Sequence, residues 1–315
     1  MVVFLSSFAP TQGLWAEYRA SLPDTIPHHL DWPTTLSMPE PYRTRLKLAK
    51  SKWSEKKNKI IETLKLNSFD VPNDLDLAWK RLNTRTVYLN DDSPSSMDST
   101  RNWALVPFLD CLNHSSSACS KTRIRNDRFE LITEQRVEKD EQVFISYGQH
   151  SDTFLMIEYG FIIGNTNKLN FVDFVPTDIV DNINQQNNPK RVKMDSDGIM
   201  RKVREIGCSD GLGVDSTGPT WSLIRFVAVV CLGDVSGFVY DNFSEFLKVS
   251  FFETYFTLDS WPADKRSKVK EELKSFLRQK IKDFEQCTVE GVLSSFLTDQ
   301  IELMNACINE DNWEE

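Results

Sequence analysis

Two short polar tips are the parts of this sequence best suited to chemistry. The first is Asn113-His114-Ser115, reached through the apolar run PFLDCLNHS that starts at Pro107. The second is Tyr147-Gly148, at the end of EQVFISYG from Glu141 to Gly148. An amide, an imidazole and a phenol supply donors and acceptors for a polar ligand, and aromatic faces attract a cation. Each tip alone also suits an ordinary turn or strand end, because Asn and Ser satisfy their own backbone in turns. Together, in this order and at this spacing, they are more specific, and two apolar strands that each end in a compact polar tip look more like a site than a core.

The elements that must position these tips are legible as patterns. Phe129, Leu131 and Thr133 alternate as in a half-buried strand, and Val143 to Ile145 is strand-like. Ser151 to Ile157 predicts a short helix with Ser151 or Asp152 as N-cap. Upstream, Leu46, Ala49, Trp53, Ile60 and Leu64 recur at helical steps through residues 40 to 66, interrupted by Lys57. The basic residues on its other faces read as a solvated surface, or alternatively as a docking face for an acidic partner. A second helix is expected over residues 74 to 89, running into NTRTVYL, and a polar loop over 90 to 101. Trp15 and Trp32 are expected to pack, and His28, His29 and His150 to lie on the surface.

Past the site, Phe171 to Val175 suggests another strand, and the Asn-, Gln- and Asp-rich run from Thr177 to Lys193 a boundary, with the domain break between about 165 and 185. Gly211-Leu212-Gly213 reads as a turn. Trp221 to Leu232 is apolar nearly all round, as a buried helix is. Val269, Leu273, Phe276, Leu277, Ile281 and Phe284 form the clearest helical stripe.

Composition narrows the functional classes. A chain of 315 residues with 40% hydrophobic and 26% charged content has room for one large domain or two ordinary ones and a substantial core. A net charge of −9 argues against a generic nucleic-acid binder; a basic protein partner such as a histone tail stays possible. Six widely spaced cysteines without a C-x-x-C pair argue against a zinc cluster or a secreted disulfide framework. His114 with Cys111 could hold a metal only with a second ligand pair, which the sequence lacks. Met1 to Phe8 lacks the basic residue of a signal peptide, and Phe226 to Leu232 is too short to span a bilayer. The expectation is a soluble intracellular protein of the cytoplasm or nucleus, monomeric and away from membranes.

DCLNHS, VFISYG and EYGF resemble the SET-domain protein methyltransferases. The branch is that of the Rubisco large-subunit lysine methyltransferase, and within it the SET-domain-containing protein 4 group. The resemblance runs from about Trp15 to Phe161 and more loosely beyond. It implies an α+β fold: a SET core of short strands (about 101–170) with a helical insert (about 11–89), together residues 1–170. A helical substrate-binding lobe would follow over 171–315. It implies S-adenosyl-L-methionine as cofactor and a protein lysine as methyl acceptor, with Tyr159 favouring lysine over the histidine taken by one relative. By resemblance Tyr147 is the catalytic tyrosine and Tyr159 lines the lysine channel. Asn113 and His114 bind the cofactor, Phe161 packs on it, and Asp110, Thr84 and Arg85 support the pocket. A buried Arg85 would need a carboxylate partner, and Asp110 is the candidate. The family's glycine-rich cofactor segment, expected ahead of the insert, has no counterpart before Trp15. The alternative expectation is therefore a protein-interaction module with an incomplete site.

Overall fold

In the computed structural model, residues 2–6, 12–33, 37–88, 103–125, 128–186, 211–232 and 263–309 are described. The expected loop at 90–101 lies outside them. Contacts divide the chain into two compact units, Met1–Thr34 with Leu46–Ile162, and Thr35–Arg45 with Ile163–Glu315. The sequence boundary at 170 did not anticipate the transfer of residues 35–45 to the second unit.

In the first unit, helix α1 (Leu14–Ser21) follows a short helical turn at Val2–Leu5. Its Tyr18 and the following Leu22 join Leu5, Ala78 and Leu82 in a buried cluster, with Trp79 and Leu105 packed against it. Helix α2 (Tyr42–Leu66) and helix α3 (Leu75–Arg85) fulfil the two helical patterns. The Lys57 interruption has a local cause. Its ammonium meets Asp76 at 2.8 Å, and the same carboxylate accepts from the Trp53 indole at 2.7 Å. Trp53 stacks on Trp79 with ring centroids 4.7 Å apart. Trp15 departs from expectation: it is 41% exposed and meets Tyr18 edge-on, with ring centroids 5.9 Å apart.

The strands of this unit are short. Strand β1 (Thr86–Tyr88) pairs antiparallel with β2 (Trp103–Leu105). Strands β4 (Ser120–Arg125) and β5 (Arg128–Thr133) form an antiparallel hairpin. The pairing that matters most is parallel: β3 (Asn113–His114) lies beside β6 (Phe144–Ile145), with His114 opposite Ile145. Helix α4 (Asp152–Tyr159) begins after Ser151 and ends at Gly160, whose φ of 77° closes it in the left-handed conformation.

The second unit is mainly helical, with α5 (Pro176–Gln186), α6 (Trp221–Leu232), α7 (Ala263–Glu285) and α8 (Val292–Asn309). All six stripe residues of α7 are buried, and Phe276 meets Phe174 edge-on. Tyr42 sits between Phe284 and Phe296 and donates its hydroxyl to Gln300 at 2.6 Å. This packing is what assigns the first turn of α2 to the second unit. An all-helical lobe does not describe it fully. Strands β7 (Phe171–Asp173), β8 (Gly213–Asp215) and β9 (Gly218–Pro219) make a small antiparallel sheet. Gly211-Leu212-Gly213 is thus the approach to a strand rather than a free turn: a Cβ on Gly213 would stand 2.2 Å from the Val172 carbonyl oxygen. Glycine is needed there so that the two backbones can meet.

Candidate active site

The parallel β3–β6 pair sets the two polar tips side by side. Ser115 N–H donates to the Ile145 carbonyl at 3.0 Å, continuing the ladder past His114. The Tyr147 amide then donates to His114 Nδ1 at 3.1 Å, so that nitrogen serves as the acceptor. Burial holds the His114 imidazole below its usual pKa, opposed by its bond with Ile145 and aided by nearby His150. A neutral ring is the form that can accept the Tyr147 amide.

Tyr147 is fixed at both ends. Its phenol donates to the Leu112 carbonyl at 2.8 Å. Its ring lies 5.0 Å from Tyr159, 5.2 Å from His114 and 6.3 Å from Phe161, the last at a nearly perpendicular 77°. Burial raises the pKa of both tyrosines, with Arg85 opposing at Tyr147 and the Tyr147 and Glu158 charges adding at Tyr159. Both therefore stay protonated at neutral pH: Tyr147 is a hydrogen-bonded phenol, not a phenolate base.

Behind the tips sits a buried charge. The Asp110 carboxylate is fully covered and lies 3.5 Å from Arg85 Nη1, which also donates to the Asp110 main-chain carbonyl at 2.6 Å. The carboxylate expected for Arg85 is thus present. A second partner was not foreseen: Tyr18 donates its hydroxyl to Asp110 at 2.5 Å across 92 residues of sequence. Burial, then the hydrogen bond to Asp110, drives the Tyr18 pKa far above the usual phenol value. Thr84 commits its hydroxyl to the Lys80 carbonyl within α3.

All eight expected residues, Thr84, Arg85, Asp110, Asn113, His114, Tyr147, Tyr159 and Phe161, line one cavity of about 530 Å³. Another wall is formed by Pro23, Thr25, Ile26 and Pro27, a segment that sequence reading did not select. It is anchored by two histidines that were expected on the surface and are in fact buried, His28 at 0% and His29 at 3% exposure. His29 Nδ1 donates to the Ile157 carbonyl at 2.6 Å, and His28 accepts from the Leu30 amide at 3.3 Å. Asn83 ties α3 to the end of α4 by donating to the Glu158 carbonyl at 3.0 Å. Gly160 presses on this wall: a Cβ there would lie 2.1 Å from the Pro27 carbonyl oxygen. His150 is half-buried, stacking on the exposed Phe154 at 4.1 Å and bonding the Tyr147 carbonyl at 3.1 Å. Two adjacent histidines among prolines give no periodic signal, which is why the wall was missed.

The cavity thus combines an aromatic face, suited to a cation, with amide, imidazole and guanidinium groups suited to a polar ligand. The Nε of Arg85 is buried and lacks a partner among the described residues. The described residues contain no cluster of metal-ligating side chains and no helix long and apolar enough to cross a membrane.

No protein-family model matches the chain. It is 35% identical over 153 residues to SET domain-containing protein 4 of Artemia parthenogenetica, covering 48% of this chain and 37% of that protein. It is 30% identical over 155 residues to a ribosomal lysine N-methyltransferase of Schizosaccharomyces pombe, covering 47% and 38% respectively. The matched stretches are thus well under two thirds of either relative's own length. In fold, the chain is similar to Rubisco LSMT in its structure bound to sinefungin and monomethyllysine. The TM-score is 0.59 at 15% identity, over 98% of this chain and 72% of that one. The chain has the mixed helix-and-strand fold of Rubisco LSMT and, over about half its length, is homologous to SET domain-containing protein 4 and the ribosomal lysine methyltransferases.

Proposed function

We propose that the cavity binds S-adenosyl-L-methionine and that the protein methylates the side-chain amine of a lysine in a protein substrate, a histone or ribosomal protein being the first to try. The observation that carries this reading is the seating of Tyr147. Its amide is held by His114, its phenol by the Leu112 carbonyl, and its ring stands among Tyr159, Phe161 and His114. The residues fit such a cofactor. The volume lies in the range of about 300–1,000 Å³ typical of ligand sites, and the aromatic faces suit a sulfonium. The partnerless donor of Arg85 can be satisfied by a ligand oxygen. The names of the relatives and the sinefungin, an analogue of S-adenosyl-L-methionine, in the structural neighbour support the same reading.

When bound, this cofactor supplies an electrophilic methyl group on a positively charged sulfur. The chain's own residues do the rest. Asn113, His114, Arg85 and Phe161 would hold the ligand. Tyr147 and Tyr159 would wall a narrow channel in which an amine is desolvated, favouring its neutral, nucleophilic form. The Tyr147 hydroxyl, its proton committed to Leu112, keeps its lone pairs for orienting the amine. Alignment of donor and acceptor then supplies most of the acceleration.

The test is calorimetry with S-adenosyl-L-methionine on the purified chain, followed by methylation of lysine peptides. Micromolar binding abolished by Asn113→Ala supports the reading. Tyr147→Phe should bind the cofactor normally yet lose about a hundred-fold or more in turnover, the usual scale for removing a pre-oriented polar group. A folded chain that binds no cofactor overturns it.

A further inference from the structure

We propose that Tyr18 is a positioning residue for the cofactor loop, acting through Asp110; this rests on the reading of the cavity given above. Asp110 occupies a tight turn, Leu109–Cys111, that leads directly into Asn113 and His114. Its amides bond at 3.3 Å (Asp110 to Val106), 3.2 Å (Cys111 to Phe108) and 3.1 Å (Leu112 to Leu109). It is entered through Phe108, whose φ of 73° is a conformation non-glycine residues rarely adopt. A strained segment of this kind persists only when its surroundings over-determine it.

Those surroundings are Tyr18 and Arg85. Arg85 grips the main-chain oxygen of Asp110 and approaches its side chain. Tyr18 supplies the short, direct bond to the carboxylate, of the charge-assisted kind that is stronger than a neutral pair. Tyr18 is itself 7% exposed and locked in the cluster with Leu5, Leu22, Ala78 and Leu82. Its hydroxyl is therefore a fixed point, and it ties helix α1 to the loop bearing Asn113. Removing that hydroxyl leaves the ring packed and the carboxylate short of its best donor. The turn should then sample more open conformations, and Asn113 and His114 should lose their alignment.

The experiment compares wild type with Tyr18→Phe, Asp110→Leu and the double variant. Two readouts are used: amide hydrogen exchange over residues 109–112, and S-adenosyl-L-methionine affinity. The Tyr18→Phe variant should exchange these amides about ten-fold faster, as expected when a local opening becomes easier, with α7 unchanged. Cofactor affinity should fall about ten-fold, equivalent to about 1.4 kcal/mol. The KM for the cofactor should rise while kcat at saturation holds, a split that general destabilisation does not produce. In the Asp110→Leu background, where the Tyr18 hydroxyl has lost its acceptor, the Tyr18→Phe change should add less than about two-fold, because the pair acts as one unit.

Unchanged exchange in a folded Tyr18→Phe protein overturns the inference, as does faster exchange without weaker binding. Should Tyr18→Phe fail to fold, Asp110→Leu removes the acceptor of the same bond without touching the α1 packing. It must then reproduce both changes, and normal exchange and affinity in that variant overturn the inference equally. A wild type that binds no cofactor overturns the reading of the cavity itself. A wild type that binds, with Tyr18→Phe indistinguishable from it, overturns only the role of Tyr18.

Discussion

Acidification from pH 7 to pH 5 should destabilise the first unit by about 2 kcal/mol through His28 alone. His28 is completely buried, and burial, then the neighbouring His29 and Lys80, hold its pKa down to about 3 against the ordinary 6.5. In the unfolded chain the imidazole takes up a proton near pH 6.5; in the folded chain it stays neutral until near pH 3. The folded value is the lower one, so the associated stability is complete above about pH 6.5. It is lost as the pH falls from there toward 3, at about 1.4 kcal/mol per pH unit. Between pH 6.5 and 5 that amounts to about 2 kcal/mol. The comparison variant is His28→Asn, whose side-chain oxygen can still cap the Leu30 amide but cannot titrate. The assay is urea unfolding at pH 7, 6 and 5, followed by near-UV circular dichroism, to which the stacked Trp53–Trp79 pair of the first unit contributes. His29, also lowered mainly by burial, and the carboxylates act in both proteins, so their slopes cancel in the difference. Wild type should lose about 2 kcal/mol more than His28→Asn between pH 7 and pH 5. Parallel losses in the two proteins would refute the reasoning, because His28 would then titrate as an exposed residue does.

Gly160→Ala should destabilise the first unit by about 3 kcal/mol, combining left-handed strain with a contact against an immovable backbone oxygen; a melt shifted by less than 2 °C would contradict it. In the second unit, Phe276→Ala removes a fully buried ring and its edge-on partner contact with Phe174. The loss should be about 3–5 kcal/mol by denaturant unfolding.

Much of the fold could be read from periodicity, and the reasons are visible residue by residue. Helix α7 was legible because all six stripe residues share one buried face. Helix α2 was legible in the same way, and its one irregularity, Lys57, resolved into an ion pair with Asp76. The sheet β7–β8–β9 was not, because β8 and β9 are three and two residues long and show no alternation at that length. Gly213 looked like a turn residue since a sequence cannot distinguish glycine chosen for a bend from glycine chosen for close backbone approach. The buried histidines failed for a related reason. Composition places His on the surface by default, and only the carbonyl of Ile157 and the amide of Leu30 explain how these two are satisfied inside.

The site divides along the same line. Its front, Asn113, His114, Tyr147, Tyr159 and Phe161, lies in short contiguous motifs, so the resemblance those motifs carry could pick out each residue, and the structure brings them to one cavity. Its back does not. The Asp110 carboxylate meets the Arg85 guanidinium from α3 and the Tyr18 hydroxyl from α1, and no local pattern links residues 18, 85 and 110. A buried carboxylate with one guanidinium at 3.5 Å is poorly compensated, since breaking or weakening a buried pair leaves an uncompensated charge. That deficit is itself an argument for a further donor, and α1 supplies it. Tyr18 thus stands in the structure where electrostatics requires a group, although nothing in the sequence around it announces one. The same reasoning separates the two kinds of residue by experiment. Changes at the front should act on binding and turnover directly, whereas changes at Tyr18 should reach them only through Asp110.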